Sequence, residues 1–144
     1  MVQELTEAAI TEFATAWYGA LDRHDDVDDV YDRFIDEHLV LNLPEGSFHG
    51  EAGFRAWYDA VTVRFFDETH TLREARPISL SGNEAEVSVV VNWQFTMHDG
   101  HDAQSAWGGF NAYQTWTVVA TENGPRIKVY TADKLDPMPG SASL

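Results

Sequence analysis

Apolar positions first recur along this chain at helical spacing. Leu5, Ala9, Phe13, Trp17 and Leu21 fall four residues apart, with Ala16 and Ala20 widening the stripe, which predicts a helix over 4–22. After the charged break RHDDVDD, the positions Val27, Val30, Tyr31 and Phe34 repeat at i, i+3, i+4 and i+7, a second and shorter helix. Asp25 or Asp26 is suited to cap it, and Asp28 and Asp29 suit the positive end of its dipole. LVLNLP, residues 39–44, reads as a short strand stopped by Pro44, and EGSFHG as a turn. A third helix follows on Phe54, Trp57, Tyr58, Val61 and Phe65.

From residue 67 the period changes to two. Residues 68–80, 84–98, 105–121 and 126–135 are four long strands, rich in Val, Thr and aromatics. SGN, a loop around HDGHD (98–102), and ENGP separate them. Gly108 and Gly109, inside a strand, suit a bend or bulge. Helices segregated from an antiparallel meander predict an α+β fold, with a strongly curved sheet wrapped around the first and third helices as an open cone. One domain is expected over residues 1–136, with the patternless tail 137–144 disordered.

Charge and composition narrow the partners. The chain of 144 residues carries a formal net charge of −15, which argues against nucleic acid and anionic membrane, both polyanions. With no cysteine, disulfides and thiolate metal sites are excluded. No segment reaches the length of a membrane span, and MVQELTEAAITEF has the features of neither part of a secretory signal, so a cytoplasmic protein is expected. The HDGHD cluster is too compact for its side chains to converge on one ion, and Asp25, Asp26, Asp28 and Asp29 lack calcium-loop spacing; no metal and no cofactor are expected.

The element order, together with FATAWYGALDRHD (13–25), SFHGEAGFRAWYDAV (47–61) and THTLREARPISLSGNEAEV (69–87), resembles the SnoaL-like and ketosteroid-isomerase-like superfamily. The resemblance runs from about residue 4 to 135 and implies the cystatin-like cone shared with nuclear transport factor two. It also implies a homodimer formed through the outer sheet face, which here includes Glu84, Glu86, Ser88, Val90, Asn92 and Gln94. The superfamily holds isomerases, dehydratases, cyclases, epoxide hydrolases and non-enzymes, so the fold alone does not fix the reaction. Where ketosteroid isomerases carry an oxyanion-binding tyrosine, this chain has Trp17, with Tyr18 adjacent; their catalytic aspartate is replaced by Leu43 before Pro44. Asn42-Leu43-Pro44 and Asp133 resemble positions of limonene-epoxide-hydrolase-like members, but VNWQF (91–95) lacks their Arg-x-Asp pair. His70 resembles the strand histidine of dehydratase-like members, whose first-helix acid has no match beside Trp17-Tyr18.

The residues themselves offer several candidates. Asp133 shares strand phase with Ile127, Val129, Thr131 and Leu135, which predicts an inward carboxylate raised by desolvation and suited to acid–base work; a strand end emerging into solvent is the other reading. His70 precedes Leu72 in phase, which suits an inward ring; histidine as a residue type can take or give a proton near neutral pH, so it is read as catalyst or as structural histidine. Asn42, with Trp17 or Tyr18, is the expected binder of a substrate oxygen. Tyr58, Trp93 and Tyr113 are expected among the aromatics lining an apolar pocket. The expectation is a cofactor-free acid–base enzyme acting on a small hydrophobic, oxygenated molecule, with Asp133 and His70 exchanging protons. The alternative is a non-catalytic ligand-binding or dimerisation module.

Overall fold

The computed structural model describes residues 2–98 and 105–144, which form three helices and a six-stranded sheet. In chain order these are α1 (Glu7–Arg23), α2 (Val27–Phe34), β1 (Ile35–Leu43), β2 (Gly46–His49), α3 (Gly50–Arg64), β3 (Phe65–Ser81), β4 (Glu84–His98), β5 (Ser105–Thr121) and β6 (Gly124–Pro137). The strands lie in the order β2-β1-β6-β5-β4-β3, antiparallel except for the parallel pair β1–β6. The α+β cone expected from the sequence is the fold observed. Among the described residues no helix is long and apolar enough to cross a membrane.

Helix boundaries follow local chemistry. Thr6 caps α1 by accepting from the Ala9 N–H at 3.1 Å, and His24 ends it in the left-handed region (φ 52°, ψ 47°). Asp26 occupies the α2 cap position but makes no side-chain cap bond, while Asp25 pairs with Arg23 and Arg33. The expected EGSFHG turn instead contains β2, which pairs with β1. The apolar stripes of α1 and α3 meet the concave sheet face, where Trp17, Phe54 and Trp116 are fully buried with Val87, Val89 and Val91.

Curvature comes from register shifts rather than from the paired glycines. β3 shifts register against β4 at three places, and β6 shifts against β5 at two. Gly108 and Gly109 pair regularly with Phe95 and Gln94; what they provide is room. A Cβ on Gly108 would sit 2.2 Å from the Phe95 ring, and one on Gly109 2.7 Å from Met138 Sδ. That sulfur belongs to the tail, which is not the loose end expected from sequence. Met138 N–H donates to Gly109 O, Ala142 N–H to Trp107 O, and Leu144 reaches the cavity described below. The free edge of β5 beyond β6 supplies these acceptors, so backbone pairing orders a segment that has no apolar period.

Candidate functional site

The last turn of α1 carries Asp22, an unfavourable place for a carboxylate because the helix dipole is negative there. β3 supplies the compensation. The His70 backbone N–H donates to Asp22 Oδ2 at 3.0 Å, and the His70 ring meets Asp22 Oδ1 through Nδ1 at 2.5 Å. A carboxylate that accepts from Nδ1 fixes the proton there, so Nε2 keeps its lone pair for the cavity. The ring is held in plane by stacking on Tyr18 (centroids 4.8 Å) and Trp93 (5.9 Å), and its side chain is 8% exposed.

A second acid–imidazole pair lies two residues along on each element. His24, the α1 cap, meets Glu68 Oε2 through Nε2 at 2.5 Å, and the Trp93 indole N–H donates to Glu68 Oε1 at 3.1 Å. Glu68 follows Asp67, whose φ of 49° lies within the register shift between Phe66 and Thr69. This bulge lets Phe65, Glu68 and His70 all face inward, though strict alternation from Phe65 would turn the last two outward.

His70 and Glu68 open on a cavity of about 590 Å³ between α3, the end of α1 and the concave sheet. Its walls are largely apolar, with Trp57, Tyr58, Val61, Phe65, Trp93 and Leu135 prominent; the exposed residues Glu45, Arg64 and Leu144 mark its mouth. Gln114 adds a polar patch. Its Oε1 accepts from the Tyr18 hydroxyl at 2.7 Å and the Trp116 indole at 3.0 Å. Two donors on one atom identify it as the oxygen, which leaves the amide NH2 of this cavity-lining residue to donate. Tyr130 lines the same region, and burial pushes its hydroxyl up to about 12; burial raises Tyr18 too, so both stay protonated donors at ordinary pH. The Tyr58 hydroxyl, also up to about 12 through burial, is engaged by the backbone oxygen of Asp25.

The residues singled out from sequence therefore divide. His70, Tyr58 and Trp93 line the cavity, and Tyr18 stands directly behind His70. Trp17 lies in the core, fully buried against Phe34, Trp57 and Trp116, and its Nε1 has no hydrogen-bond partner among the described residues. Asn42, Tyr113 and Asp133 are on the outer face. Asn42 bonds Thr131 and Ser47, Tyr113 lies beneath Lys134, and Asp133 is exposed and accepts from the Thr115 hydroxyl at 2.7 Å. The inward phase expected for Asp133 fails because of two bulges. Thr117 and Val118 pair with Val129 and Ile127, skipping Lys128; Tyr113 and Gln114 pair with Lys134 and Ala132, skipping Asp133 itself. The inward set of β6 is consequently Ile127, Tyr130, Ala132 and Leu135.

Four polar groups at or behind the cavity wall were not singled out from the sequence: Asp22, Glu68, Gln114 and Tyr130. The carboxylate that the first helix sets against His70 is Asp22, one turn beyond Tyr18. Its signal was a carboxylate in a last helical turn, where its partner had to come from elsewhere in the chain. Among the described residues no group of three or more His, Asp or Glu side chains gathers to hold a metal, and HDGHD beyond His98 lies outside them.

Residues 4–131 match the SnoaL-like domain. No functionally curated protein matches the sequence. Among solved structures, a candidate aromatic ring hydroxylase from Novosphingobium aromaticivorans is 25% identical over 92% of both chains, with a TM-score of 0.79. A candidate scytalone dehydratase from the same organism is 16% identical over 94% of both chains, with a TM-score of 0.73. A hexachlorocyclohexane dehydrochlorinase, LinA-type3, from Novosphingobium barchaimii is 13% identical over 95% of this chain and 92% of that one, also with a TM-score of 0.73. The last two are likenesses of fold.

Proposed function

Because the chain belongs to the SnoaL-like domain family, we propose that it uses this cone as a cofactor-free acid–base enzyme, with His70 as general base and Asp22 as the residue that orients it. The carrying observation is the Asp22–His70 pair presenting Nε2 to a largely apolar cavity of about 590 Å³, large enough for a small hydrophobic molecule. Nε2 takes a proton from the substrate, while the Gln114 amide and the Tyr130 hydroxyl donate to a substrate oxygen on which charge develops. Elimination, such as dehydration, is the reaction this arrangement serves best: Nε2 takes the C–H proton as the C–O bond breaks, Gln114 and Tyr130 hydrogen-bond the departing hydroxide, and the imidazolium returns its proton to that oxygen, so that an alkene and water leave. The dehydratase and dehydrochlorinase names among the structural neighbours denote reactions of that type. The non-catalytic alternative is disfavoured by an open cavity with an oriented imidazole in its wall. The proposal includes a homodimer through the outer face, where Trp107 and Tyr113 are each 40% exposed; light scattering that finds a monomer at micromolar concentration would remove it.

The test begins with mass spectrometry of small molecules retained by the purified protein, followed by proton exchange of those molecules in D2O with enzyme present. His70→Gln is expected to slow exchange by about 10²–10⁴-fold. Exchange at the wild-type rate in that variant would reject the assignment.

A further inference from the structure

The two acid–imidazole pairs face the cavity in opposite order. In Asp22–His70 the imidazole lines the cavity and the acid stands behind; in His24–Glu68 the acid lines it and the imidazole stands behind. Glu68 is 8% exposed, yet it is not needed for the base reaction above, nor, among the described residues, is it paired with a lysine or arginine. Trp93 can only donate, so Oε1 is an acceptor; a carboxylate offers about four acceptor positions, and Trp93 and His24 take two. The remaining acceptor capacity lies in a largely apolar wall. A ligand that covers it without donating pays the desolvation of a carboxylate, whereas a ligand with a hydroxyl there replaces the lost water.

From this we infer that Glu68 is a specificity residue: a subsite that selects substrates bearing a hydroxyl donor, separate from the oxygen held by Gln114 and Tyr130. His24 and Trp93 are its positioning residues. The left-handed backbone of Asp67 and of His24, each needed to bring one partner into place, concentrates local strain on this pair. The substrate class of the proposed reaction is thereby narrowed to small hydrophobic molecules with two oxygens, one accepting and one donating. The inference rests on that reading for the identity of the cavity as a substrate site, but its test does not use turnover.

Equilibrium dialysis of the full chain with 2-naphthol and with 2-methoxynaphthalene compares ligands of similar shape, with and without the donor. The wild type is expected to retain 2-naphthol about tenfold more tightly or better. Glu68→Leu should erase that preference, Glu68→Gln should reduce it, and His70→Gln should leave it in place. Equal affinity of the wild type for both probes, or binding of neither, overturns the inference. So does a preference that survives in Glu68→Leu, with Glu68→Gln deciding if the leucine variant does not fold. Tighter binding of 2-naphthylmethylammonium than of 2-naphthol would overturn the hydroxyl assignment in favour of a cation. In the wild type, absence of the preference while His70→Gln is defective in proton exchange rejects the Glu68 role alone; presence of the preference while His70→Gln exchanges at the full rate rejects the base alone.

Discussion

The inner and outer faces of this sheet carry similar polar side chains under opposite conditions. Inside, His70, Glu68 and Gln114 are each held by one or two protein partners and keep unused capacity toward a largely apolar cavity. Outside, Asp133, Asn42 and Thr131 bond to neighbours and do not line the cavity. The difference teaches that residue type alone does not make a catalytic group. An oriented group whose remaining hydrogen-bonding capacity is shielded from water does.

The largest separation between the faces should appear in activity. His70→Gln is expected to cost about 3–5 kcal/mol of transition-state stabilisation in proton exchange. Asp22→Asn should fall between the wild type and that variant, since it keeps a ring partner but loses the charge that holds the tautomer. An Asp22→Asn enzyme as fast as the wild type would remove the orienting role.

Next comes alkaline stability. Burial raises the Tyr130 hydroxyl to about 12 from its ordinary 10.0, so the unfolded chain ionises first as pH rises. The neutral group's contribution is complete below pH 10 and is lost between pH 10 and about 12, at up to about 1.4 kcal/mol per pH unit. Denaturant titrations should show Tyr130→Phe losing less stability across that window than the wild type; identical slopes would contradict the burial argument. A comparable test of the inner face is Gly108→Ala, whose methyl meets the Phe95 ring and should destabilise by about 1–3 kcal/mol. The smallest effect belongs to the outer face. Asp133→Asn should leave proton exchange within about twofold and stability within about 0.5 kcal/mol. A large activity loss there would erase the distinction between the faces.

These contrasts also explain what could be read from the sequence. The helical stripe through Phe13, Trp17 and Leu21 and the inward phase of β4 through Val87, Val89 and Val91 survive because α1 and β4 keep their own period. β6 does not: a strand with two extra residues reverses its phase twice, so Asp133, in phase with Ile127 by count, emerges on the outer face. The site depended on long-range pairing: Asp22 and His70 are 48 residues apart, and neither a period nor a local motif joins them. Gln114 shared an ordinary strand phase with Ala112 and Trp116, and only the two donors on its oxygen reveal how its amide is aimed.

The central claim is that Asp22 holds the His70 proton on Nδ1 and leaves Nε2 free for chemistry. Nitrogen-15 NMR of the histidine ring, at about pH 8.5 where an ordinary imidazole is neutral, reads this without a substrate. The wild type is expected to show a protonated Nδ1 and a bare Nε2, with the Nδ1 preference weakened in Asp22→Asn. A wild-type ring with its proton on Nε2 would contradict the claim.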